Sequence, residues 1–305
     1  MARSLIHINF NKVQIWLTLS LVILNASVIA QSSVVAKGSV PVLVSSEFSF
    51  TEGPAVDREG NIYFTDQPND KIMKWSADGS LSVFMEGTGR ANGLFFDRNG
   101  NLVACADLDN QLWMIDKSKN VTVLVKDFNG KKLNGPNDLW IDPQGGIYFT
   151  DPFYKRDYWT RTEKEIEEEN VYYLSPDRTK LTIAASGLMQ PNGIIGTPDG
   201  KKLYVADIKG RKTYSFIIQK DGTLTDKNLF ADMGSDGMTI DSKGNVYLTG
   251  KGVTVFNSKG EKIETIPIDA PWTANVCFGG KDRKTLFVTA SKSVFTVKMK
   301  VKGAY

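Results

Sequence analysis

Histidine is almost missing from this chain: of 305 residues, only His7 carries an imidazole. It lies in the first 30 residues, where Arg3 and Lys12 precede an apolar run from Val13 to Ala30 that ends in small residues, the build of a cleavable secretory signal. Residues 1–30 therefore read as a signal peptide, with cleavage near Ala30. Export to the periplasm or the medium follows, with no stable membrane association after removal. The competing reading is an uncleaved anchor, for which a run of about 18 apolar residues is near the lower limit. Loss of the segment leaves no imidazole at all. That excludes a Ser-His-Asp triad, a histidine general base and any His-ligated zinc or iron centre. Chemistry must come from carboxylates, amides, lysine, tyrosine or a metal held by oxygen.

Cysteine is nearly as scarce. Cys105 and Cys277 could pair in an exported protein, but they fall in strand-like segments of different repeats, and buried free thiols are the expectation. An excess of either charge is lacking too. Taking Arg3 and Lys12 from 37 basic residues leaves 35 against 34 acids, a net charge of +1. Nothing in that balance calls for a nucleic acid or a charged membrane as partner. Helical periodicity is also nearly absent.

What the chain does have is a repeat. Six stretches open alike: Thr51-Glu52-Gly53, Ala91-Asn92-Gly93, Pro136-Asn137-Asp138, Pro191-Asn192-Gly193, Ser235-Asp236-Gly237 and Ala274-Asn275-Val276. A small residue or proline precedes an acid or amide, and a mostly apolar run follows. Five positions on stands Asp57, Asp97, Asp142, Thr197, Asp241 or Gly280; eight on, Gly60, Gly100, Gly145, Gly200 and Gly244, with Arg283 the exception. The copies begin 40, 45, 55, 44 and 39 residues apart, a spacing typical of stacked or radial units.

Each copy continues as short β-runs split by glycine-containing turns, as in Ile62 to Asp66, Lys71 to Ser76 and Leu81 to Met85. Four such runs per repeat make a propeller blade. The expected fold is all-β: a six-bladed β-propeller over residues 31–305. The last repeat lacks a fourth strand, and Val40 to Ser46 can supply it, closing the ring without an open edge. The largest departure from the period is the segment 152–170, aromatic and basic in its first half and acidic in its second. It reads either as a lid or binding loop or as a solvated excursion with a short helix.

In a propeller the first strand of each blade lines the axis. Glu52, Asn92, Asn137, Asn192, Asp236 and Asn275 would then form a ring at one mouth. Asn-Gly and Asp-Gly are also common turn dipeptides, but turn chemistry does not explain an oxygen donor in all six copies. Two carboxylates and four amides suit a hard divalent cation such as Ca²⁺. Zn²⁺, Mn²⁺ and Mg²⁺ also accept oxygen ligands.

Phe50-Thr51-Glu52-Gly53-Pro54, Asn134-Gly135-Pro136-Asn137-Asp138-Leu139, Thr150-Asp151-Pro152, Gln190-Pro191-Asn192-Gly193 and Ser235-Asp236-Gly237-Met238, in this order, resemble the SMP-30/gluconolactonase family of six-bladed propellers over about residues 38–301. The resemblance implies one divalent cation, usually Ca²⁺, held by Glu52, Asn137, Asn192 and Asp236, with Asp236 also the general base. It implies hydrolysis of a sugar lactone. Asn92 and Asn275 are then expected to hydrogen-bond substrate, with Phe153, Tyr154 and Trp159 as an aromatic lid. The animal branch has an arginine where this chain has Gly135; Arg90 is the expected replacement for its charge. Two other readings stay open: a non-catalytic propeller binding a glycan or peptide around a structural ion, and hydrolysis of an ester or organophosphate at the same ion.

Overall fold

The computed structural model describes residues 33–305; the candidate signal peptide, residues 1–30, lies outside the described residues. Among these, 24 strands form six four-stranded antiparallel sheets, and the one helical element is a three-residue turn, Gln67–Asn69. Blade one holds β2 (Thr51–Val56), β3 (Ile62–Asp66), β4 (Lys71–Trp75) and β5 (Leu81–Glu86). Blade two holds β6 (Ala91–Phe96), β7 (Leu102–Ala106), β8 (Gln111–Ile115) and β9 (Val121–Val125). Blade three is β10 (Leu139–Ile141), β11 (Ile147–Asp151), β12 (Asn170–Leu174) and β13 (Leu181–Ala185). Blade four is β14 (Pro191–Gly196), β15 (Lys202–Asp207), β16 (Lys212–Ile218) and β17 (Leu224–Ala231). Blade five is β18 (Met238–Ile240), β19 (Val246–Gly250), β20 (Gly252–Phe256) and β21 (Lys262–Ile266).

Blade six combines β22 (Asn275–Gly279), β23 (Thr285–Ala290) and β24 (Ser293–Lys298) with β1 (Val42–Ser45) from the other end of the described chain. Here Val42 pairs with Thr296 and Leu43 with Phe295, so the expected closure is present. First strands touch in cyclic order, β2 to β6, β10, β14, β18, β22 and back to β2, which defines a six-bladed propeller.

Second strands are buried on both faces because blades pack on either side of them. Ile62 and Phe64 face blade six, packing with Cys277 and Phe287, while Tyr63 faces blade two beside Leu94 and Leu102. Each such side chain is worth roughly 1.5–3 kcal/mol on burial, and this wedge-to-wedge packing fixes the angle between blades. Cys105 and Cys277 are both buried free thiols, as expected.

The conserved spacing within each repeat serves the hairpin at the far end of the first strand. Asp57 accepts from the Asn61 amide at 2.8 Å, and the Gly60 amide donates to the Asp57 carbonyl at 3.2 Å. Asp97, Asp142 and Asp241 repeat this turn, with Gly60, Gly100, Gly145 and Gly244 at positive φ. Arg283, the exception in sequence, adopts the same left-handed backbone, φ 57°. At the near end, Asp66, Asp151 and Asp207 each accept two backbone N–H groups from the loop that enters their blade: Ser49 and Phe50, Asn134 and Gly135, Met189 and Gln190. These carboxylates position the entry of β2, β10 and β14, which is where the ring residues sit.

Candidate active site

Three ring residues lie at irregularities in the ladder. The pairing of first and second strands slips between Ala91 and Leu94 and between Pro191 and Ile194, bracketing Asn92 and Asn192, and between Glu52 and Ala55, directly after the pair that Glu52 makes with Thr65. Such bulges re-aim a side chain out of the regular alternation. Asn137 and Asp236 stand just before the short strands β10 and β18, Asn137 still donating its amide to the Thr150 carbonyl at 2.9 Å, and Asn275 opens β22 opposite Thr289. Glu52 and the four amides are buried, at 2–5% exposure, and Asp236 is half-buried.

The glycines that follow are not turn residues. A Cβ on Gly53, whose φ is +41°, would lie 2.1 Å from the Asn92 carbonyl oxygen, and one on Gly237 would lie 1.9 Å from Cγ of Asn275. They let neighbouring first strands approach closely around the axis. Gly53→Ala combines a left-handed backbone with a main-chain collision, so it is expected to cost more than about 1–3 kcal/mol, read as a lowered melting temperature. Buried threonines of the second strands tie this backbone together: Thr65 donates to the Asn92 carbonyl at 3.1 Å, Thr249 to the Ala274 carbonyl at 2.7 Å and Thr289 to the Asn275 carbonyl at 3.1 Å.

Three acids converge at this mouth. Asp138, which the repeat template did not single out, joins Glu52 and Asp236. Burial, opposed in part by hydrogen bonds, pushes Asp138 up to about 7 and Asp236 up to about 6. Glu52 is raised well above the usual carboxylate range, first by burial and then by the charges of Asp236 and Asp138. Asp138 is held by the Leu139 amide at 2.9 Å and by Asn275 Nδ2 at 3.4 Å. One oxygen of Glu52 accepts from the Gly53 amide at 2.9 Å. Trp272 Nε1 donates to Asp236 Oδ2 at 2.5 Å and fixes that oxygen. Among the described residues, no lysine or arginine nitrogen comes within ion-pair distance of the three acids.

The insertion 152–170 contains no helix and folds back over this mouth. Tyr154 Oη accepts from Asn192 Nδ2 at 2.8 Å, and its ring lies within electrostatic reach of Asp236 and Glu52. Phe153 and Trp159 pack on each other at 5.7 Å and on Arg161, and Trp159 Nε1 donates to the Asp107 carbonyl at 2.8 Å. These two brace the loop, and Tyr154 is the aromatic that touches the ring. The indole of Trp159 also comes within 3.0 Å of where a Cβ on Gly135 would stand, so the space of any longer side chain there is filled. Arg90 stacks on Tyr158 at 4.4 Å and donates to the Pro68 carbonyl at 2.8 Å. The guanidinium whose charge reaches Asp236 is instead Arg156.

Two cavities meet the ring. The larger, about 730 Å³, is the axial channel behind it, lined by Asp138, Asn275 and apolar residues such as Leu139, Ile194 and Ile240, with Tyr305 at its far end. The smaller, about 250 Å³, opens beside Asp236 and is walled by Ser235, Trp272 and Arg211. Among the described residues no group of three or more His, Cys, Asp or Glu side chains has metal-holding geometry. An ion at the ring would therefore need amide oxygens beside its carboxylates. Asn137 is 5% exposed, and neither it nor Asn92 forms a side-chain hydrogen bond among the described residues. That leaves the Asn137 amide oxygen free to serve as such a donor.

A six-bladed propeller with an acid- and amide-lined mouth at its axis is the class that fold and site define. The chain belongs to the SMP-30/Gluconolactonase/LRE-like family, whose description matches residues 50–292. It is 30% identical over 298 residues to a gluconolactonase of Zymomonas mobilis, spanning 87% of this chain and 83% of that one. It is 22% identical to the pentonolactonase XacC of Haloferax volcanii, spanning 83% of this chain and 85% of the other. The solved structure of XC5397 from Xanthomonas campestris, described as a gluconolactonase, superposes with a TM-score of 0.81 at 27% identity, covering 87% of this chain and 91% of that one.

Proposed function

We propose that this protein hydrolyses a sugar lactone with one divalent cation, Ca²⁺ in the first instance, held by Glu52, Asn137, Asn192 and Asp236. The observation that carries the reading is the convergence of two buried acids, Glu52 and Asp138, with the half-buried Asp236, none of them with a basic partner at ion-pair distance among the described residues. Buried charges are ordinarily paired or bound to a metal, and a hard cation takes carboxylate and amide oxygens together. The lactonase names of the relatives support the same chemistry.

When bound, the cation supplies Lewis-acid polarisation of the lactone carbonyl and favours deprotonation of water. The chain's own residues do the rest. Trp272 holds Oδ2 of Asp236, leaving Oδ1 to take the proton of the attacking water. The water oxygen bonds to the carbonyl carbon, the ring C–O bond breaks, and the released alkoxide takes the proton back from Asp236, which returns to its carboxylate. A base pushed up to about 6 is well matched to proton transfer near neutrality. Tyr154 and Asn192 form one wall of the mouth, where Asn92 is available to substrate hydroxyls, whereas Asn275 is engaged by Asp138 and the Val276 amide.

The test is acid release from glucono-1,5-lactone, followed in a pH-stat, by protein stripped with a chelator and then reloaded. Turnover above the spontaneous rate that disappears on stripping and returns with Ca²⁺ is the expected result. Stripped protein that turns over at the full rate removes the cation from the proposal; loaded protein that never exceeds the spontaneous rate removes the reaction. Glu52→Gln is expected to weaken cation affinity first, with activity recovered in excess Ca²⁺.

A further inference from the structure

The first strands of blades one, three and five bring the acids to the mouth, but the insertion brings a guanidinium there. Arg156 donates through Nε to Asp107 Oδ2 at 2.9 Å, and its guanidinium carbon lies 5.3 Å from the centroid of Tyr154. Tyr154 is in turn bonded to the ring residue Asn192. Asp107 is itself anchored: its side chain is 3% exposed, and Gln67 Nε2 at 3.3 Å and the Tyr158 hydroxyl donate to the same oxygen. With Nε so engaged, Nη1 and Nη2 of Arg156 have no hydrogen-bond partner among the described residues, and the side chain is 23% exposed. Its neighbours differ. Arg161 stacks on Trp159 and Phe153 and gives Nη2 to the Asn134 carbonyl, its Nε and Nη1 being buried, while Arg90 stacks on Tyr158 and gives Nη1 to the Pro68 carbonyl.

Lactone hydrolysis turns a neutral ester into a carboxylate. That anion forms at the mouth to which Tyr154, beside Arg156, is bonded through Asn192. A guanidinium offers two parallel N–H donors that match a carboxylate, and a fork already fixed through Nε loses little further freedom on binding. Resting on the lactonase reading, we propose that Arg156 binds the carboxylate of the aldonic acid product and thereby sets product affinity. Asp107 and Tyr154 position it. The same donors meet only a carbonyl dipole in the neutral lactone, so Arg156 discriminates product from substrate.

A charged hydrogen bond of this kind corresponds to roughly a ten- to hundredfold change in affinity. Calorimetric titration of the full chain, loaded with Ca²⁺, with D-gluconate should give a dissociation constant at least about tenfold higher in Arg156→Gln than in the wild type. KM for gluconolactone should move by less than about threefold, because the neutral substrate lacks the charge. Arg156→Lys, which keeps the charge but not the fork, should recover part of the affinity, and Asp107→Asn should lose part of it. Ca²⁺ affinity and melting temperature serve as readouts of folding and of the ring, and both should stay at wild-type values in Arg156→Lys. Equal gluconate affinity in the wild type and Arg156→Gln overturns the assignment, as does a wild type that binds no gluconate. Gluconate binding that is lost in Arg156→Gln, in a protein that hydrolyses no lactone, upholds the anion site and removes the lactonase reading instead.

Discussion

Asp236→Asn is expected to lower kcat for lactone hydrolysis by at least about 10²-fold, the usual scale for removal of a general base, while the protein still binds its cation. Asparagine preserves the volume of the side chain and one carbonyl oxygen, so Trp272 Nε1 keeps an acceptor and the neighbouring wall is undisturbed. What disappears is the anion that takes the proton. The sign of the pH dependence separates this from mere loss of a ligand. In the wild type the rate should rise with pH as Asp236 deprotonates; its carboxyl is pushed up to about 6 by burial, and bound cation moves that limb lower. In Asp236→Asn the limb should vanish, leaving a flat residual rate. Initial rates in a pH-stat, with cation occupancy measured on the same samples, check both points. A variant that retains cation and full activity removes the base assignment.

The parts of this molecule that were legible in sequence are those that recur. Six copies of an acid or amide, five of them followed eight residues later by glycine, reflect two backbone requirements, an entry at the axis and a left-handed hairpin position, and every blade must meet both. Even Arg283 obeys the second, because the hairpin dictates its φ whatever the side chain. The closing strand was legible for a related reason: blade six lacked a fourth strand and only one unassigned β-run remained. The glycines were less transparent, since a turn and a close strand approach leave the same dipeptide; only the 2.1 Å clash at Gly53 separates them. Residues that act once were not legible. Asp236 meets Trp272 across 36 positions, and Asp107 meets Arg156 across 49. No period brings such pairs together. Asp138 had one local signal: an acid where four of the six copies place glycine. Arg90 lies two residues before a ring position, yet its side chain follows the entry loop outward to Tyr158.

Freed of cation, the protein should become less stable as pH rises from about 4 to about 7. Asp236 and Asp138 have folded values of about 6 and about 7 against an ordinary aspartate near 3.8. Glu52 is raised in the same direction. Over that window the folded state retains protons that the unfolded chain has released, so the contribution to stability is complete below the unfolded value and is lost as pH climbs through the folded ones. The slope is on the order of 1.4 kcal/mol per pH unit for each proton retained. Exposed acids such as Asp116, Asp177 and Asp221, held down by hydrogen bonds from their turns, act in the opposite sense, but only at the acid end of the range. Cation reverses the trend at the alkaline end, where the ring is most negative: at a hundredfold excess over its dissociation constant it adds about 2.7 kcal/mol. Melting temperatures with chelator and with Ca²⁺ should therefore diverge from about pH 5 towards about pH 7.5, the chelated protein falling and the loaded one holding. A chelated protein that grows steadily more stable across this interval would show that the buried carboxyls are not carrying uncompensated charge at the axis, and the electrostatic reason for a cation there would be gone.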